Sequence, residues 1–194
     1  MEKKLPETIE QALKQFDTPA PLRLMFQDEA RFGRISQTRT CGCPKPLRPL
    51  VKARVTQEYT YAYAAVSPSD GLLDTLILPS VNSACMQVFV DEIAHRHPDE
   101  NILRVVDGAG WHRSQSLNLP GNLQFLFLPP YAPELNPVEH LWDDLREKSF
   151  YNLVFDSLKS LENHLELALA DFEKSVGRTK GITGWSWIIN ALSM

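Results

Sequence analysis

A chain of 194 residues is long enough to bury one substantial core. Its hydrophobic share of 43% is ordinary for a globular protein, and no apolar run approaches the ~20 residues of a membrane-spanning helix. The net charge of −4 argues against a protein that grips nucleic acid by its overall charge. The opening stretch MEKKLPETIEQALKQF lacks the apolar centre of a signal peptide, so a soluble cytoplasmic product with no membrane partner is expected. Cys41, Cys43 and Cys85 are an odd set without zinc-ligand spacing, which predicts free thiols in a reducing compartment.

In chain order, Ile9, Leu13 and Phe16 fall at helical spacing and predict a short leading helix. LRLMFQD, residues 22–28, alternates Leu22, Leu24 and Phe26 and ends on Asp28, the pattern of a core strand. Between Ala30 and Gln57 stand Arg31, Arg34, Arg39, Lys45, Arg48, Lys52 and Arg54 with no acidic residue. Their surroundings are rich in Pro and Gly and predict an irregular hairpin excursion. It either touches phosphates or is a solvated loop.

YTYAYAAV (59–66) and LLDTLIL (72–78), joined by SPSDG, predict a hairpin. Asn82 or Ser83 caps a helix through about His95. ILRVVD (102–107) and LQFLFL (123–128) are two more strands, with room for only a short helix between them. Pro137 starts a helix striped by Val138, Leu141, Trp142 and Leu145. A long helix after Asp156 carries Leu158, Leu161, Leu165, Leu169, Phe172 and Val176, and GWSWIINAL adds a final turn or two. Three strands of hairpin character, a helix, two further strands and then helices predict an α/β, RNase H-like fold. It is a mixed five-stranded sheet with helices on both faces.

Asp28 and Asp107 each follow an apolar strand, and ligands of open α/β sheets gather at the carboxyl ends of strands. If those strands are parallel neighbours, the two carboxylates meet and stay ionised together only with a cation between them. Oxygen ligands suit Mg²⁺ or Mn²⁺. Each Asp alone also fits a turn, and Glu29 competes with Asp28 as a ligand. Glu139 has a capping alternative: Asn136 as N-cap, Pro137 at the first helical position and Glu139 at the third approximate a capping box. A cap does not need the stiff run LPPYAP ahead of it, whereas a ligand for Mg²⁺ tolerates little positional error. Asp143, one turn on, is the substitute if Glu139 only caps.

QDEARFG, VVDGAGWH and LPPYAPELNPVEHLW together resemble the signatures of DDE transposases of the mariner superfamily, in its bacterial insertion-sequence branch. The resemblance implies an RNase H-like catalytic core with catalytic, metal-binding residues Asp28, Asp107 and Glu139, two Mg²⁺ or Mn²⁺ ions, and cleavage and strand transfer of DNA. Thirty-one residues stand between Asp107 and Glu139, slightly fewer than in the family pattern. It also assigns residues 21–194 to the catalytic domain and 1–20 to a helix or linker remnant, without a helix-turn-helix end-binding domain of its own. DNA, a second copy and a separate helix-turn-helix chain are the implied partners. Further residues expected behind the metal or against DNA are His112, His140, Asn136, Arg31, Arg34, Arg39, Lys45 and Arg48, with Trp111 and Tyr131 either stacking on a base or packing. The alternatives are a non-catalytic DNA-binding or transposase-pairing remnant, or a nuclease guided by DNA structure.

Overall fold

The computed structural model describes residues 5–35, 39–40, 42–47, 50, 52 and 55–192. Helix α1 (Leu5–Leu13) precedes β1 (Leu22–Gly33), β2 (Tyr59–Val66) and β3 (Leu73–Leu78). Helix α2 (Ser83–Arg96), β4 (Asn101–Val106) and β5 (Leu123–Phe127) follow, then α3 (Val138–Ser149), α4 (Leu158–Lys174), α5 (Val176–Thr183) and α6 (Ser186–Leu192). The strands form one sheet in the order β3-β2-β1-β4-β5. The β1–β2 and β2–β3 pairs are antiparallel, and β4 and β5 continue parallel to β1. The expected mixed five-stranded sheet is therefore present.

Alternation along the strands divides the core into two layers. Leu24, Phe26, Ala30 and Phe32 of β1 pack with Leu103 and Val105 under Leu141, Trp142 and Leu145 of α3 and Leu161, Leu165 and Leu169 of α4. Met25 of β1 packs with Tyr63 and Ile102 under Met86, Phe89, Val90 and Ile93 of α2 on the other face. Helix α1 buries Leu5, Ile9 and Ala12 in the first layer. Asn82 caps α2, its side chain accepting from the Cys85 amide, as the sequence predicts.

Three expectations change. Strand β1 does not end at Asp28 but runs five residues further, because its pairing with β2 persists from Asp28↔Ala64 to Gly33↔Tyr59 after the last β4 partner, Phe26↔Val105. The link between β4 and β5 holds only turns, with no short helix. The long C-terminal helix stops at Lys174, so Val176 opens α5 and is exposed instead of extending the α4 stripe. Ser157 caps α4 in a reciprocal pair with Ser160. No helix of the described residues is long and apolar enough to cross a membrane.

Candidate active site

Asp28 and Asp107 lie two residues beyond the pair Phe26↔Val105, where β4 ends and the sheet opens beside β1. Period-two alternation keeps both on the α3 face. Pro129, Pro130 and Pro133 carry the chain from β5 across that opening to α3. A cleft of about 460 Å³ results, lined by Asp28, Asp107 and Glu139, by Gly108, Arg113 and Asn136, and by the proline-rich loop. The three carboxylates are thus brought to one cavity from β1, the end of β4 and the first turn of α3. Among the described residues no three acidic, His or Cys side chains form a ready-made metal cage.

The helix start differs from a capping box. Pro137 already has helical angles (φ −66°, ψ −16°) ahead of Val138, Asn136 before it is extended, and the Asn136 amide goes to the Pro133 carbonyl and not back to Glu139. Asn136 is buried; its Oδ1 accepts from the Val138 amide at 3.2 Å and its Nδ2 donates to the Gln27 carbonyl at 2.9 Å. It is therefore a brace between α3 and β1 and not a DNA contact. Glu139 is left to line the cleft. Asp143 is exposed on the same helix and is not part of the lining.

Asp28 accepts from the Trp142 indole N–H at 2.9 Å. Burial pushes its carboxyl up to about 8, helped by the negative charges of Glu139 and Glu29. Burial also raises Glu139. The hydrogen bond from His112 holds Asp107 below the usual carboxylate range. Carboxylates that repel one another across a cleft fit a divalent cation. Mg²⁺ needs only one or two protein carboxylates when substrate phosphate and water complete its shell, so the open arrangement is no obstacle.

The family model for DDE superfamily endonucleases matches residues 23–162. The chain belongs to this family. A protein of Sinorhizobium fredii (strain NBRC 101917 / NGR234), uncharacterized protein y4pE/y4sA, is 35% identical over 107 residues, which are 55% of this chain and 79% of that one. The fold is that of Mos1 mariner transposase. The Mos1 paired-end complex with the left transposon end superposes with a TM-score of 0.62 at 19% identity. The paired-end complex with Mn does so at 0.62 and 18%. Each covers 99% of this chain, which spans only about three fifths of the Mos1 chains, 60% and 61%.

Within this DDE endonuclease domain the remaining residues separate clearly. His112 does not face the cleft. Its side chain is 1% exposed, with Nδ1 at 2.6 Å from Asp107 Oδ1 and Nε2 at 3.1 Å from Glu29 Oε1. Burial opposes its charge, but the bonds to Asp107 and Glu29 prevail and push it up to about 9. Glu29 is not a rival ligand to Asp28, because alternation puts it on the α2 face. Trp111 donates to Glu29 Oε2 at 3.1 Å and is not part of the cleft lining. His140 is exposed, does not line the cleft, and sits edge-on to the Trp185 ring, 5.2 Å between centroids.

The basic segment divides similarly. Arg34 is buried, pairs with Glu58 and donates to the Phe155 and Asp156 carbonyls, so it is a clamp and has no free face for phosphate. Arg31 is exposed over the Tyr59 ring at 4.6 Å. Arg39 is exposed over Tyr151, and Lys45 is exposed. Arg48 lies outside the described residues, as do Arg54 and Cys41. Two further residues line the cleft, and of these only Arg113 escaped the sequence reading. Arg113 follows His112 and lines the cleft with its guanidinium near Gly108 and over Phe127. Its signal was a lone basic residue in the loop after Asp107. Tyr131 lines the cleft fully exposed, with φ 57°, a conformation a bulky residue adopts only where its surroundings impose it.

Proposed function

We propose that this DDE endonuclease domain is the catalytic core of a DNA transposase, and that Asp28, Asp107 and Glu139 hold Mg²⁺ or Mn²⁺, two ions in all, for cleavage and strand transfer. The observation that carries this reading is the single cleft shared by three carboxylates from distant parts of the chain. Bound there, divalent cations would supply Lewis-acid polarisation of the scissile phosphate and a more acidic attacking hydroxyl. The chain's own part is to hold the ligands and the DNA. Trp142 fixes one oxygen of Asp28. The Ala109 amide and His112 fix Asp107. Asn136 ties the start of α3, and with it Glu139, to β1.

Arg113 supplies the cation for a backbone phosphate at the rim. Tyr131, fully exposed, offers a ring on which an unpaired base next to the cut can stack. The exposed Arg31, Arg39 and Lys45 extend the phosphate track despite the net charge of −4. DNA is the substrate. A second copy and a separate helix-turn-helix chain for end recognition complete the proposed assembly. The proposed setting is the cytoplasm, supported by the free thiols Cys43 and Cys85.

Nicking of supercoiled plasmid with Mn²⁺ tests the reading. Wild type nicks, and Asp28→Asn, Asp107→Asn and Glu139→Gln each fall to background with an unchanged circular dichroism spectrum. A Glu139→Gln protein that still cuts removes Glu139 from the site, and an inactive wild type removes the enzyme reading. Faster cutting of DNA that carries an element end than of random DNA separates a transposase from a structure-guided nuclease.

A further inference from the structure

QDE places two carboxylates side by side in sequence, and strand alternation sends them to opposite faces of β1. Asp28 goes to the cleft. Glu29 goes behind the sheet, 5% exposed, with donors on both oxygens: Gln27 Nε2 at 2.5 Å and His112 Nε2 at 3.1 Å on Oε1, and Trp111 Nε1 at 3.1 Å on Oε2. Three donors from two segments leave this side chain little freedom. His112 then spans the gap between the layers, its other nitrogen on Asp107 Oδ1 at 2.6 Å. Asp107 follows β4 and is half exposed, with no strand ladder of its own to hold it. The Ala109 amide bonds the same Oδ1 at 3.0 Å. Both bonds therefore engage one oxygen, which sets the plane of the carboxylate and leaves Oδ2 without a hydrogen bond among the described residues.

We infer that Glu29, acting through His112, is a positioning residue that fixes the Asp107 carboxylate for metal binding. The inference rests on reading Asp107 as a ligand. Partners placed behind a ligand in this way carry about 10–100-fold in metal affinity. The geometry also explains why both ring nitrogens are used. A histidine serving only as core packing needs neither carboxylate, and one touching DNA cannot be sealed between them.

Mn²⁺ binding to the full chain, followed by electron paramagnetic resonance, tests this apart from activity. Glu29→Gln weakens Mn²⁺ binding about 10-fold or more at unchanged stoichiometry. His112→Asn keeps a donor at the Nδ1 position and retains more affinity than His112→Gln, whose amide sits at the Nε2 position. In plasmid nicking the same variants raise the Mn²⁺ needed for half-maximal rate and leave the KM for DNA near that of wild type. Equal losses for the two His112 variants that follow their melting temperatures make the chain of bonds merely structural and overturn the inference. A lost equivalent of Mn²⁺ in Glu29→Gln makes Glu29 a ligand and also overturns it. Asp107→Asn separates the two levels. If it binds Mn²⁺ like wild type, or wild type binds none, the reading of the cleft fails. If it loses binding while Glu29→Gln and His112→Gln do not, only the inference fails.

Discussion

At the scale of single residues, neighbours in sequence have unlike jobs because a strand turns alternate side chains to opposite faces. Asp28 faces the cleft and Glu29 the buried histidine, and the sequence showed the adjacency without the division. Arg113 is the clearest residue that the sequence did not mark. It has no partner motif, and only the fold of the loop after Asp107 carries it to the cleft. If it meets a phosphate, Arg113→Ala weakens binding to all DNA sequences alike and lowers the slope of log affinity against log salt by about 1. Titrations at several salt concentrations check this, and an unchanged slope takes Arg113 off the phosphate. Arg34 shows the opposite case. Charge patterning grouped it with the phosphate contacts, yet burial beside Glu58 and two carbonyls commits it to the fold.

Among elements, β4 carries an oddity with an energetic consequence. Arg104 is fully buried between the rings of Phe89 and Phe125, at 4.7 and 5.6 Å, and none of its guanidinium nitrogens has a hydrogen-bond partner among the described residues. Burial pulls its pKa down to about 9, against the pull of Glu29 and Asp74. A desolvated cation held by ring faces alone is costly, so Arg104→Met, similar in reach and apolar, raises stability by about 1–4 kcal/mol in urea unfolding. A loss of stability contradicts this. Helices α3 and α5 meet through Asp144, which bonds Lys148 and Arg178. Burial alone would raise the Asp144 carboxyl, but those two bonds outweigh it and hold it below its ordinary value. A depressed carboxyl stabilises the fold above its unfolded pKa, and the contribution is lost as pH falls through the folded value. Asp144→Asn therefore lowers the melting temperature at pH 7 and flattens its decline from about pH 5 downward. An unchanged acid limb refutes the linkage.

Over the whole molecule, the sheet was legible because its strands are short, apolar and separated by turn residues, and hydrophobic period fixes such strands well. The extent of β1 was not legible. Residues 29–33 carry charge and a glycine, and only pairing with β2 keeps them extended. The second bond of Asn136 was not legible for a related reason. Asn136 answers to a carbonyl on a distant strand, a contact no local pattern encodes. The three carboxylates were named from strand ends and a stiff loop, but their shared cavity depends on β4 leaving β1 where it does. The hydrogen bonds behind Asp107 were invisible in sequence because Glu29 and His112 stand 83 residues apart and meet only in the fold.

The central claim is that Asp28, Asp107 and Glu139 together bind the ions that cut DNA. The most direct measurement is anomalous diffraction from crystals of the protein with a DNA duplex, grown in Mn²⁺. The account predicts anomalous peaks in the cleft within bonding distance of Asp28 and Asp107, with Glu139 completing one of the two ion sites. Peaks elsewhere, or an empty cleft over bound DNA, contradict it.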